Sequence, residues 1–314
     1  MVQLKRANCR SFGKKNKMKK LIIISLITII SLLYAGPGDG GAAFLKIPVD
    51  ARVCGMGEAS VAYIDNASAL YYNPAGLGKI KSIELLFMHN TWLLDMRHEY
   101  FAAAYAFRNI GTFGLSFNYW DSGDIPCITI RGDTISNYTF SASDWAVNIG
   151  YAKELDKACI GVGFKFLSEK HESLSTTAIA FDVGGMYELP IKGLQAGISL
   201  SNFGTGIELD QERFPLPLLV RLGWQYNLQE LGFAQDFIIS NADEFSIALG
   251  AEYWVAEILA LRFGYRTGSG MAGLTGLRAG LGVCFKNFGF DYAAAAYGQL
   301  GMTHRFSFSW KPNR

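Results

Sequence analysis

From residue 83 onward the chain repeats one unit, a run of about ten residues in which apolar side chains alternate with small or polar ones, closed by a turn. The clearest copy lies at 277–286. Leu277, Ala279, Leu281, Val283 and Phe285 share one face of a strand and Arg278, Gly280, Gly282, Cys284 and Lys286 the other, because successive side chains of a strand point to opposite sides. The same division recurs in Leu259, Leu261, Phe263 and Tyr265 against Arg262, Gly264 and Arg266, and in Trp145, Val147, Ile149 and Tyr151 against Asn148 and Gly150. One face is greasy and aromatic; the other is glycine, polar or charged. That pattern predicts a transmembrane antiparallel β-barrel with lipid outside and a polar lumen.

Such segments number about fourteen, near 83–91, 97–107, 111–121, 143–154, 158–170, 177–189, 194–202, 216–227, 232–241, 245–255, 258–267, 275–286, 288–297 and 303–311. The second and ninth alternate least cleanly. Connection lengths give an independent check, since outer-membrane barrels join strands by short periplasmic turns alternating with longer outer loops. Every even connection is short, and the odd ones include long loops at 122–142 and 203–215 and a glycine-rich one at 268–274. A soluble sandwich or propeller would need a packing partner for each greasy face and gives no reason for the loop alternation.

The amino end fits export. Met18 opens a stretch with Lys19 and Lys20, an apolar run over 21–33 and the small Ala35, the three parts of a secretory signal. The run is about 14 residues, short of the ~20 that span a bilayer as a helix. Of 29 Lys and Arg, eight lie in 1–35, leaving 21 against 27 Asp and Glu, a net charge near −6. Basic stripes interleaved with aromatics are absent, so a nucleic-acid partner is not expected. Cys54, Cys127, Cys159 and Cys284 show no CxxC spacing, which argues against a zinc site, and no cofactor is expected.

Between signal and first strand, residues 36–82 follow neither a strand nor a helix period. Small residues are dense, including Gly55, Gly57, Ala75 and Gly76, with one compact turn at Asn73-Pro74. Gly55 and Gly57 suit close backbone approach, and Asp65-Asn66 and Asn73-Pro74 are turn formers. A barrel of ~14 strands has a lumen wider than its own side chains fill. The expectation is a plug, or hatch, over 36–82, with Arg52, Gly55, Gly57, Asp65, Asn73, Pro74, Ala75 and Gly76 as its packing and gating positions. The barrel occupies 83–314.

The pattern FLKIPVDARVCGMGEASVAYIDNASALYYNPAGL at 44–77 resembles the amino-terminal signature of the PorV/PorQ family, which belongs with the FadL-type barrels and their Asn-Pro-Ala plug element, here Asn73-Pro74-Ala75. ISLSNFG at 198–204, ALGAEYW at 248–254, LRFGYRTG at 261–268 and LGMTHRFSFSW at 300–310 extend the resemblance over the mature chain. The last of these resembles the terminal aromatic signal of barrel assembly, overhung here by the tail 311–314. The resemblance implies a plugged barrel in the bacterial outer membrane and two divergent roles. One is a non-enzymatic part in type IX secretion and surface delivery, with the translocon, the attachment complex and cargo signal domains as partners. The other is FadL-like transport of long-chain fatty acids or other hydrophobic compounds.

Charges falling on the inward face are Lys165, Asp182, Glu188, Arg221, Glu252, Arg262, Arg266, Arg278, Lys286, Asp291 and Arg305. Arg or Lys at the lipid midplane costs about 2–4 kcal/mol, which places them in the lumen. There they are expected to pair with one another and with Arg52, Glu58 and Asp65, or to hold a substrate head group. HExxH, P-loop and GxSxG patterns are absent, and His89, His98, His171 and His304 are scattered. No enzyme activity and no metal site is expected. A tunnel past Asn73 would favour transport; a sealed lumen under apolar outer loops carrying Ile125, Ile128, Ile130, Phe140 and Phe214 would favour a protein partner.

Overall fold

A computed structural model describes residues 40–131, 134–172, 174–209, 212–241, 245–268 and 273–312. The export signal expected in 1–35 lies outside them. The strands are β1 (Ile83–Thr91), β2 (Arg97–Phe107), β3 (Gly111–Asp121), β4 (Ile125–Arg131), β5 (Thr134–Phe140), β6 (Ala142–Leu155), β7 (Ala158–His171), β8 (Leu174–Glu188) and β9 (Leu194–Gly204). They continue with β10 (Ile207–Leu209), β11 (Glu212–Phe214), β12 (Leu219–Leu228), β13 (Leu231–Ser240), β14 (Ser246–Val255), β15 (Leu259–Arg266), β16 (Leu277–Phe285), β17 (Phe288–Ala296) and β18 (Met302–Trp310).

Fourteen of these close an antiparallel barrel in sequence order, with β1 pairing β18, while β4–β5 and β10–β11 form separate hairpins in the two longest loops. Alternation decides which face is which. In β16 Arg278, Gly280 and Gly282 are buried while Leu281, Val283 and Phe285 are exposed outward. The two least regular segments, β2 and β13, are full strands. The strand expected at 216 starts instead at Leu219, because Pro215 and Pro217 have no N–H for the ladder. Strand β8 reaches back to Leu174, three residues before the expected start.

Residues 41–80 pack against the inner face. They run from the long-loop end, where Gly41 N–H donates to the Pro215 carbonyl at 3.0 Å, to the short-turn end, where Lys79 meets Glu188 at 2.6 Å. Regular structure in this stretch is brief. Asp50 caps a five-residue helix, Ala51–Gly55, by accepting from the Arg52 N–H. Its other oxygen accepts from Asn66 Nδ2 at 2.8 Å and Ser68 Oγ at 2.7 Å, tying the two halves of the stretch together. Asn73 caps the 3-10 turn Pro74–Lys79, and Pro74 at its first position gives up an N–H that would have no partner there.

Pairs of glycines facing each other across the ladder make room for this stretch. Gly114 and Gly150 are partners across β3 and β6, and Leu70 fills the space over both: a Cβ at Gly114 would lie 2.9 Å from its side chain. Gly161 and Gly184, across β7 and β8, receive Asn73-Pro74 in the same way. Gly197 with Gly223 receives Val61, and Gly250 with Gly264 receives Met56 and Gly57. The core is therefore inside the barrel, and Leu70, Leu77, Val53 and Ile64 are wholly buried in it with Met88 and Tyr100 of the wall. Burial of such side chains stabilises by about 1.5–3 kcal/mol each.

Candidate functional site

Several of the inward charges are engaged by the amino-terminal stretch. Arg262 bridges Glu252 and Asp291, each at 2.6 Å; Tyr63 donates its hydroxyl to Glu252 at 2.7 Å, and Arg52 Nε donates to Tyr63 at 2.7 Å. Arg52 also pairs Asp65 at 2.5 Å, so Asp65 bonds within its own stretch. Glu58 carries two partners from β15 and β16, bonding Arg266 closely and standing 3.9 Å from Arg278. Arg221 donates to the Glu58 carbonyl at 3.3 Å. Lys165 lies 3.2 Å from Asp182, whose carboxylate accepts the Asn202 N–H at 2.7 Å where the β8–β9 ladder shifts register. Arg305 is buried completely, with its guanidinium 6.0 Å from the Trp92 ring.

Two expected lumen charges sit elsewhere. Lys286 occupies the turn after β16 with φ 53° and is exposed, its ammonium over the Phe285 ring, because the strand ends one residue earlier than the alternation implies. Glu188 ends β8 at the short-turn rim, half exposed and paired with Lys79. Burial lowers the Lys79 pKa, but the hydrogen bond and charge of Glu188 outweigh it and hold the ammonium above the ordinary lysine range. The glycines of the stretch sit where close approach is needed: a Cβ on Gly55 would lie 3.0 Å from the Gly280 Cα, and Gly57 has φ 68° against the Leu249 and Tyr265 backbones. Asn73 donates to the Val61 carbonyl at 2.6 Å and is fully buried with Ala75, while a Cβ on Gly76 would lie 2.6 Å from the Ile64 carbonyl oxygen.

Asp236 on β13 was not among the expected lumen charges. Its carboxylate accepts the N–H groups of Ser60 and Val61 at 2.8 and 2.9 Å. Asp144 and Glu169 were also missed, although extending the alternation by one step from Trp145 and by two from Lys165 puts both on the inner face. Among the described residues Cys54, Cys127, Cys159 and Cys284 form no disulfide, and Cys159 is buried among the wall residues, as its strand position implies.

A cavity of about 580 Å³ opens at the long-loop end. Phe44, Ile47, Trp92, Trp120, Leu209 and Phe214 make its apolar lining, and Glu58, Arg266, Asp144, Glu169 and His171 its polar one. That size and mixture suit a small apolar molecule oriented by a few polar groups. Phe44 and Leu45 close it inward, packed on Leu167, Ala178 and Leu216. On one wall the donor atoms of Asp144, Glu169 and His171 all lie within 4.8 Å of one another.

No family model matches the chain, and no curated protein matches it. Solved structures do. The toluene transporter TodX of Pseudomonas putida is similar at TM-score 0.60 and 10% identity over 82% of this chain and 95% of that one. The toluene transporter TbuX of Ralstonia pickettii gives 0.58 at 12% identity, over 86% and 99%. A FadL homologue of Pseudomonas aeruginosa gives 0.53 at 11% identity, over 84% and 98%. At these identities the likeness is one of fold: a closed 14-strand barrel of the FadL kind.

Proposed function

We propose that this protein is a FadL-type channel of the bacterial outer membrane that takes up hydrophobic compounds, with residues 41–80 as a plug in its lumen. The observation that carries this reading is the apolar cavity at the long-loop end, floored by Phe44 and Leu45 of the plug. A hydrophobic molecule entering from outside would meet Trp92 and Trp120 first and the plug next. Below that point Asn73, Pro74 and Ala75 are buried, so passage requires the plug to shift on the glycine pairs that seat it. The similar structures, two toluene transporters and a FadL homologue, support the same class of cargo.

The test is uptake. A host lacking its own hydrophobic-compound transporter is given this gene and supplied with labelled long-chain fatty acid or toluene as limiting carbon source. Growth and label accumulation above the empty-vector control are expected; their absence with the folded barrel present in the outer membrane overturns the reading.

A part in type IX secretion draws on a different observation. The lumen is filled, and the β4–β5 hairpin projects Ile128 and Tyr138 into solvent, a surface suited to a protein partner. Deleting the gene would then leave secreted proteins in the periplasm while hydrophobic uptake stays unchanged.

A further inference from the structure

We propose that Asp144, Glu169 and His171 form a binding site for a divalent transition-metal cation at the outer mouth of the barrel. Asp144 on β6 and Glu169 on β7 are direct cross-strand partners facing inward, and each is only 4% exposed. Like charges placed directly opposite destabilise a sheet, the more so out of water, so the fold is asking for something positive between them. His171 lies two residues beyond Glu169, on the same face, with its ring open to the mouth.

The spacing fits a cation better than direct bonding. His171 Nε2 stands 3.8 Å from Asp144 Oδ1 and 3.9 Å from Glu169 Oε2, beyond hydrogen-bond length. Asp144 Oδ1 is buried with no hydrogen-bond partner among the described residues, which is costly unless a ligand satisfies it. Zinc held at about 2.0–2.2 Å by oxygen and nitrogen donors spaces them roughly 3.4 Å apart at the tetrahedral angle. Small rotations of His171 and Glu169 close that difference. Two carboxylates and one imidazole neutralise the cation and leave its fourth position facing the cavity, and the imidazole selects zinc, cobalt or nickel over calcium and magnesium, which prefer oxygen alone. A bound ion would pin the outer ends of β6 and β7 together. The exposed ring of His171 gives it a way in.

The purified full chain, folded in detergent and stripped with chelator, is dialysed against Zn²⁺ and its metal content measured, with Co²⁺ absorption reporting the donor set. One tightly held equivalent per chain is expected, together with a rise in unfolding temperature on Zn²⁺ addition. His171→Gln and Glu169→Gln should each weaken binding at least ten-fold, no less than changes to outer-shell partners of a metal site do. His89→Gln, which removes the other His–carboxylate pair of the wall, should leave binding unchanged. His171 is an exposed strand-end residue, and the heat-modifiable migration of the folded barrel shows that each variant is intact. A wild-type chain that retains no zinc, in which the two carboxylates share a proton instead, overturns the proposal. So does binding that survives in His171→Gln or is lost in His89→Gln.

Discussion

Gly161 of β7 lies directly against the backbone of Pro74, so that a Cβ at 161 would overlap the Pro74 carbonyl group and the Ala75 nitrogen. The obstacle is backbone on both sides, and neither side has a side chain to swing away. Gly161→Ala is expected to lower stability by about 1–3 kcal/mol, the cost of overpacking a filled interior. If residues 41–80 plug the lumen as proposed, their displacement should also admit large antibiotics that the parent excludes. Gly185→Ala is the control, because its Cβ would meet Ile198 at an ordinary 3.7 Å, and it should stay within about 0.5 kcal/mol of the parent. Denaturant unfolding in detergent and antibiotic sensitivity in cells read the two effects separately.

Asp236 holds residues 60 and 61 by charge as well as by shape. It is fully buried, accepts two backbone N–H groups from Ser60 and Val61, and lies 3.9 Å from Arg221. Asp236→Ala removes one member of a buried pair and orphans both N–H groups, for an expected loss of about 3–5 kcal/mol. Glu188→Gln breaks a pair that is half exposed at the rim and should cost no more than about 1 kcal/mol. Urea midpoints at constant slope would compare them.

The two faces of β16 were legible because period two is written into Leu277 to Phe285 without exception, and lipid on one side forces the alternation to be strict. Residues 41–80 were legible only as something packed. Their helical turns are four to six residues long, too short for a period to show, and their order comes from side-chain bonds such as Asn66 and Ser68 to Asp50 that join residues 16 and 18 apart. Inner-face glycines were read as merely non-apolar. That Gly114 pairs with Gly150, and Gly161 with Gly184, depends on the register between strands, which no single strand encodes. Lys286 went astray for the converse reason: period two carried one residue past the end of β16 into a left-handed turn.

The outward face supplies a test of the membrane assignment itself. Leu281 is the middle residue of β16 and 49% exposed, between Leu261 and Tyr292 of its neighbours. Leu281→Arg should cost about 2–4 kcal/mol in a phospholipid bilayer, where the guanidinium would sit at the midplane. Phe285→Arg, at the strand end, should cost about 0–1 kcal/mol because the charge reaches the interface. Reversible unfolding from vesicles measures both. Equal costs at the two positions would contradict a single lipid-facing band centred on Leu281.

Trp120 ends the inward run of β3 and lines the cavity, as do Trp92 and Tyr297, whose rings meet at 5.1 Å. If hydrophobic compounds lodge there, Trp120 supplies flat apolar area, and Trp120→Ala removes enough of it to weaken binding about ten-fold, or ~1.4 kcal/mol. A brominated long-chain fatty acid should quench tryptophan fluorescence in the parent at low micromolar concentration and require about ten-fold more in the variant. Trp310→Phe, at the end of β18 and away from this mouth, should leave the concentration dependence unchanged. Quenching that keeps the same midpoint in Trp120→Ala would place the bound molecule elsewhere, on the lipid face or in the detergent, and remove the cavity from the uptake route.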